Sequence, residues 1–121
     1  MAVTQTGQLL TWGDGEYGRL GHGGEADEEV PRVVEGAGVV VGVAGGTWHS
    51  MAVRESGEVV VFGRGGDLTH YDEEGNELEE PVLVADGRLG LGAEAEEALQ
   101  PTVVPGIRAA VANRDEQDGA K

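Results

Sequence analysis

Cysteine is missing from the 121 residues, and lysine occurs once, as Lys121. The first absence removes disulfides, zinc–thiolate sites, iron–sulfur ligation and thiol nucleophiles together, so stability has to come from packing and hydrogen bonds. The second leaves seven arginines as nearly all the positive charge against 23 acids, for a formal net charge of −15. That balance repels a phosphate backbone and an anionic membrane surface alike, so neither nucleic acid nor membrane is expected as a partner. A protein partner that touches the acidic faces should carry a basic surface, with an attraction that salt weakens. Long apolar runs are missing too. The longest, Gly38–Ala44, is far too short to span a bilayer, and no basic flank followed by an apolar run opens the chain. The expected location is intracellular, in cytoplasm or nucleus. At 12.5 kDa and 39% hydrophobic residues there is material for one small domain with a modest core.

What the chain has in quantity is glycine, 22 residues of it, and the glycines repeat. Met1–Gly15 lies over Met51–Gly65 at an offset of 50 without a gap. The pairs Trp12/Phe62, Leu9/Val59 and Leu10/Val60 keep size and apolarity, as core positions require. Further on, Arg19-Leu20-Gly21-His22-Gly23 matches Arg88-Leu89-Gly90-Leu91-Gly92 at an offset of 69, so the second copy carries 19 extra residues. The register then resumes, with Pro31-Arg32-Val33-Val34 over Pro101-Thr102-Val103-Val104. Two units of roughly 50 residues result. The first covers residues 1–50, the second residues 51–112 with an acidic insertion at 66–85, and a polar tail at 113–121 is expected to be disordered.

Each unit reads as short strands between turns. Trp48–Arg54 and Glu58–Phe62 flank Glu55-Ser56-Gly57, with glycine where a positive φ is needed, and Met1–Thr4 and Gln8–Trp12 flank Gln5-Thr6-Gly7 in the same way. Val39–Ala44 is β-branched and predicts a buried strand ending in a tight turn. Ala93–Leu99 predicts a loop with one helical turn. Ile107–Asn113 has helical propensity, but its place in the repeat argues for a strand. Four short strands per unit match the blade of a propeller, in which each blade leans on its neighbours. The fold class is therefore all-β: an incomplete β-propeller of about two four-stranded antiparallel blades with a long acidic loop.

Thr11–Gly23 followed by Val43–Val53 resembles the repeat of the regulator of chromosome condensation family. The matching parts are Trp12-Gly13, the glycines Gly15 and Gly18, Leu20-Gly21-His22-Gly23, Pro31, and Gly46-Thr47-Trp48-His49-Ser50. Gly57, Gly63, Gly90, Gly92 and Pro101 continue the pattern in the second copy, and the likeness runs over about residues 1 to 112. The resemblance implies a seven-bladed propeller of four strands per blade. Two units cannot close such a ring, so further blades, in the same or another chain, are expected to cover the open edges. The resemblance implies a non-enzymatic protein–protein interaction module. Alternatives are part of a guanine-nucleotide exchange factor for a small GTPase, as in the family's founding member, or a truncated fragment without function of its own.

Several motifs invite chemistry. Gly13-Asp14-Gly15-Glu16-Tyr17-Gly18 has the G-x-G-x-x-G spacing that cradles phosphates, but no helix can open at Arg19–Gly24 and two acids sit inside it, so structural turns are expected. His49 is expected to lock the blade by bonding backbone groups through a ring nitrogen. Ser50 should face the other way on the strand, which excludes a His–Ser dyad. His22 and His70 read as solvated. Trp48 bears comparison with the ultraviolet-sensing members of the family, but Thr47 follows Gly46 where they carry Trp, and no arginine is in the motif. Packing, or with Tyr17 a contact surface, is the expectation. In the insertion, Asp72, Glu73 and Glu74 do not fit a calcium loop and are candidates for contact with a basic partner. No catalytic residue, cofactor site or metal site is assigned.

Overall fold

The computed structural model describes residues 1–46 and 48–111. The chain forms strands β1 (Ala2–Val3), β2 (Leu9–Gly13), β3 (Glu28–Val33), β4 (Val40–Gly45), β5 (His49–Arg54), β6 (Glu58–Arg64), β7 (Gly66–Tyr71), β8 (Glu77–Ala85) and β9 (Glu97–Arg108). All pairings are antiparallel, and they make three sheets: β1-β2-β3, β4-β5-β6-β9 and the β7-β8 hairpin. The all-β architecture of an incomplete propeller holds, with one four-stranded blade and one of three strands.

The repeat seen in the sequence is reproduced residue for residue in the ladders. Ala2 and Val3 oppose Leu10 and Leu9, as Ala52 and Val53 oppose Val60 and Val59. Leu10, Thr11 and Gly13 oppose Val33, Arg32 and Glu28; Val60, Val61 and Gly63 oppose Val103, Thr102 and Ala98. Even the bulge recurs, between Thr11 and Gly13 and between Val61 and Gly63. Pro31 and Pro101 both lie on outer strands, where a missing N–H costs no ladder bond.

Strand β6 is buried along nearly its whole length, and its two faces serve two cores. Val60 and Phe62 point with Ala52 and Val40 toward Leu9, Val34 and Ala37, which joins the two blades. Val59 and Val61 point the other way, against Leu89, Ala98 and Val104. Burial of a side chain of this size stabilises by roughly 1.5–3 kcal/mol, so β6 is the strand on which both blades depend. The blades are also stitched through the first repeat's glycine loop. Gly18 lies against Leu99, Gly21 against the Phe62 ring, and the Gly23 N–H donates to the Leu99 carbonyl at 2.8 Å. A side chain on Gly18 would collide with the Leu99 backbone, and its φ of +75° is one that glycine alone adopts freely.

Several expectations change. Strand β4 is not buried: only Val40, beside Gly7 at its start, is, while Val41 and Val43 are exposed, because β4 is an edge of its sheet. Trp12 is not a core residue; it is 41% exposed where Phe62 is wholly buried. Ala93 and Glu94 form a turn, and Glu97–Leu99 already belong to β9. That strand ends at Arg108, so the strand expected over 107–113 is only begun; residues 112–113 and the expected disordered tail at 113–121 lie outside the described residues. The long acidic loop expected in the insertion is instead a solvent-exposed β-hairpin. Alternation of apolar and polar residues, Leu68, Val82 and Val84 among acids, supports paired strands, and the Asp72–Asn76 turn closes them.

Candidate functional site

The glycine loop of the first repeat occupies its own would-be anion site. Backbone N–H groups of Gly15, Glu16 and Tyr17 donate to the carboxylates of Asp27 (2.9 Å), Asp14 (2.9 Å) and Glu25 (3.0 Å). Successive N–H groups of this kind form an anion-binding nest. Here side chains of the same chain fill it, and Gly15 is packed so closely against the Ala26 carbonyl that no Cβ would fit.

This loop holds Tyr17 at φ +61°, the one non-glycine residue with positive φ among those described. Such a backbone costs of order 1–3 kcal/mol and is kept where the surroundings impose it. It delivers the phenol ring to Trp48, edge to face, with centroids 6.2 Å apart. Trp48 is also met by two arginines from elsewhere in the chain. The guanidinium carbons of Arg19 and Arg64 each lie 4.4 Å from its ring centroid, and that of Arg64 lies 5.4 Å from Tyr17. The Gly-x-x-His motif itself holds no arginine, and both arginines are remote from it in sequence. Asp14 and Glu16 accompany Arg19 at 3.6 and 3.7 Å. Tyr17 and Trp48 are consequently half-buried in a cluster rather than standing free.

Arg64 carries the cluster to the insertion. It is 5% exposed, its Nε donates to the Gly66 carbonyl at 2.7 Å, and its Nη2 lies 3.3 Å from Asp67 at the base of the hairpin. Arg88 reaches the same carboxylate at 3.0 Å and grips Asp86 with Nε and Nη2. The Arg88 hydrogen bonds hold the Asp86 carboxyl down to about 2. At the far end of the hairpin, the Asp72 carboxylate accepts from the N–H groups of Glu74 and Asn76 and from the Asn76 side chain. These bonds, the Asn76 backbone first, lower its pKa. Asp72 therefore builds the turn, while Glu73 and Glu74 are exposed at its tip.

Among the described residues, His49 makes no ring hydrogen bond to a backbone group. Nδ1 is buried without a hydrogen bond, and the ring instead packs on Gly46. Ser50 donates to the Arg19 carbonyl at 3.3 Å, away from His49. His22 is half-buried rather than solvated, with Nε2 2.9 Å from the Thr11 hydroxyl, which itself donates to the Leu20 carbonyl. Burial first, then the charge of Arg32, lowers the His22 pKa. His70 is exposed on β7.

The blade geometry, the repeated ladder register and the glycine loops agree with what comparison of the sequence finds: residues 6–53 match the family model described as the regulator of chromosome condensation (RCC1) repeat. Residues 6–53 are a repeat of this family. Relatives include the human E3 ubiquitin-protein ligase HERC2, 37% identical over 87 residues, which is 70% of this chain and 2% of that protein. The zebrafish (Danio rerio) protein RCC2 homolog is 32% identical over 106 residues, 86% of this chain and 18% of its own length. Human RCC1 domain-containing protein 1 is 44% identical over 65 residues, covering 52% of this chain and 17% of that relative. The chain thus spans at most about a fifth of these RCC1-repeat proteins. Among the described residues, no helix is long and apolar enough to cross a membrane.

Proposed function

We propose that the chain acts as a non-enzymatic protein–protein interaction module within an RCC1-type propeller, with a basic surface on its partner. The observation that carries this reading is the hairpin itself. Strands β7 and β8 pair with neither blade, contribute nothing to the two cores, and stand on the second blade through Gly66 and the Arg64–Asp67–Arg88–Asp86 ion pairs. An element that the sheet does not need, held firmly at its base with apolar and acidic side chains exposed, is how rigid scaffolds present binding residues.

Photo-cross-linking from Tyr71 and from Glu73 in the full-length protein tests this. Discrete protein adducts are expected at both positions and not from Gly36, in the β3–β4 connection between the blades; equal labelling from all three would discard the reading. A nucleotide-release assay on small GTPases separates it from the exchange-factor alternative, because a contact module leaves the release rate unchanged.

A further inference from the structure

One face of the hairpin is an open apolar groove of about 700 Å3. Val82 and Val84 stand opposite Thr69 and Asp67 and share their face, and with Tyr71 and Leu78 they line it. Tyr71 is 58% exposed and both valines 52%. A lone two-stranded hairpin is marginal in water, and a third layer on its apolar face would stabilise it. The groove rim is acidic, formed by Asp67, Asp72, Glu73 and Asp86.

Charge decides what that layer is. Between Gly66 and Ala85 there are seven acids and no lysine or arginine. Asp67 and Asp86 are matched by Arg64 and Arg88, whereas Glu73, Glu77, Glu79 and Glu80 have no ion pair among the described residues. A second copy would bring the same acids and a net charge of −15 to the interface, and nucleic acid or an anionic bilayer would bring phosphate; each meets like charge. A cationic protein segment meets the opposite charge, and apolar side chains on it would fill the groove.

Resting on the interaction-module reading, we propose that the β7–β8 groove seats a cationic amphipathic segment of a partner protein, with its apolar side chains on Tyr71, Leu78, Val82 and Val84 and its lysines or arginines against the acidic rim. The hairpin is held at its base by the arginine ion pairs and at its tip by the Asp72 turn, so little order has to be imposed when the segment docks.

The test titrates the isotope-labelled full chain with a synthetic leucine–lysine amphipathic peptide and follows amide shifts. Shifts confined to residues 67–86 are expected, as is loss of binding when glutamate replaces the peptide's lysines. The double variant Val82→Ser/Val84→Ser changes no charge and should weaken binding roughly tenfold or more. Glu73→Gln, which removes a rim acid that has no ion pair among the described residues, should weaken it up to a few-fold and flatten its salt dependence. Equal affinity for the valine double variant, or for oligolysine, would mean diffuse charge attraction and overturn the proposal, as would shifts outside the hairpin. Tyr71→Ser supplies a second groove variant if the valine pair disturbs the hairpin's own cross-strand signals. Absence of peptide binding alongside protein adducts from Tyr71 would sink the cationic chemistry and leave the interaction module standing. Peptide binding without any adduct would do the reverse.

Discussion

Trp12 and Phe62 hold the same place in two copies of one repeat, each inside the bulge that faces the outer strand, yet one is 41% exposed and the other wholly buried. Among the described residues Phe62 opposes Ser50 of β5 while Trp12 has no ladder partner, and the cover differs as well. Phe62 is roofed by Gly21 of the preceding glycine loop and packed with Leu9 and Val34, while nothing in the described chain lies over Trp12. The same contrast runs through the loops. Thr11 and His22 form a hydrogen-bonded polar pair where the second copy has Val61 and Leu91 packed together. Arg19 stacks on Trp48, whereas its counterpart Arg88 grips Asp86 and Asp67. A repeat therefore supplies a backbone frame, and each unit's neighbours decide whether a given position is core, ion pair or surface.

The sharpest way to break this comparison is to truncate the paired aromatics. Phe62→Ala should cost about 3–5 kcal/mol in urea denaturation, and Trp12→Ala less than about 1. Similar costs would show that the face of Trp12 is covered in solution. Next in size, Gly18→Ala and Gly87→Ala both place a side chain at positive φ, +75° and +81°, at a shared cost of about 1–2 kcal/mol. Gly18 additionally faces the Leu99 backbone, while Gly87 meets only open space and ordinary contact with Ala93, so Gly18→Ala should be clearly the more destabilising in the same assay.

The smallest effect concerns the polar pair. The His22 pKa is lowered in the folded chain, so the unfolded chain binds the proton more readily. Its contribution to stability is present above the unfolded value near 6.5 and declines as pH falls through that value toward the folded one. Thr11→Val/His22→Leu copies the second repeat's apolar pair and should remove this part of the pH dependence without lowering stability near neutrality. Unchanged curvature in a pH series of denaturation midpoints would place the titrating group elsewhere.

Much of the frame was legible before any coordinates. The two hairpins, the offsets of the outer strands and the glycines of both loops are local matters, readable from turn residues and from one copy laid over the other. The insertion misled because its acids dominate the composition; the alternation of Leu68, Val82 and Val84 with polar neighbours was the available signal for strands, and Asp72 with Gly75 the signal for their turn. Tyr17 and Trp48 were named together as part of a contact surface, but the cluster they form with two arginines was not foreseen. No spacing connects Arg19 and Arg64 to a tryptophan in another strand, because cation–π contact needs proximity in space and leaves no period in sequence. The carboxylates of Asp27 and Glu25 in the backbone nest were hidden for the same reason.

By itself, then, the sequence determined that this protein is built of repeated antiparallel hairpins, where their glycine turns fall, and how one copy aligns with the next. These follow from backbone preferences and hydrogen-bond periodicity, which each short segment carries with it. Only the tertiary structure decided that Phe62 is core and Trp12 surface, that two arginines stand on Trp48, and that the acidic insertion rises as a hairpin with an open apolar face. Burial and pairing are relations between segments distant along the chain, and no segment holds them alone.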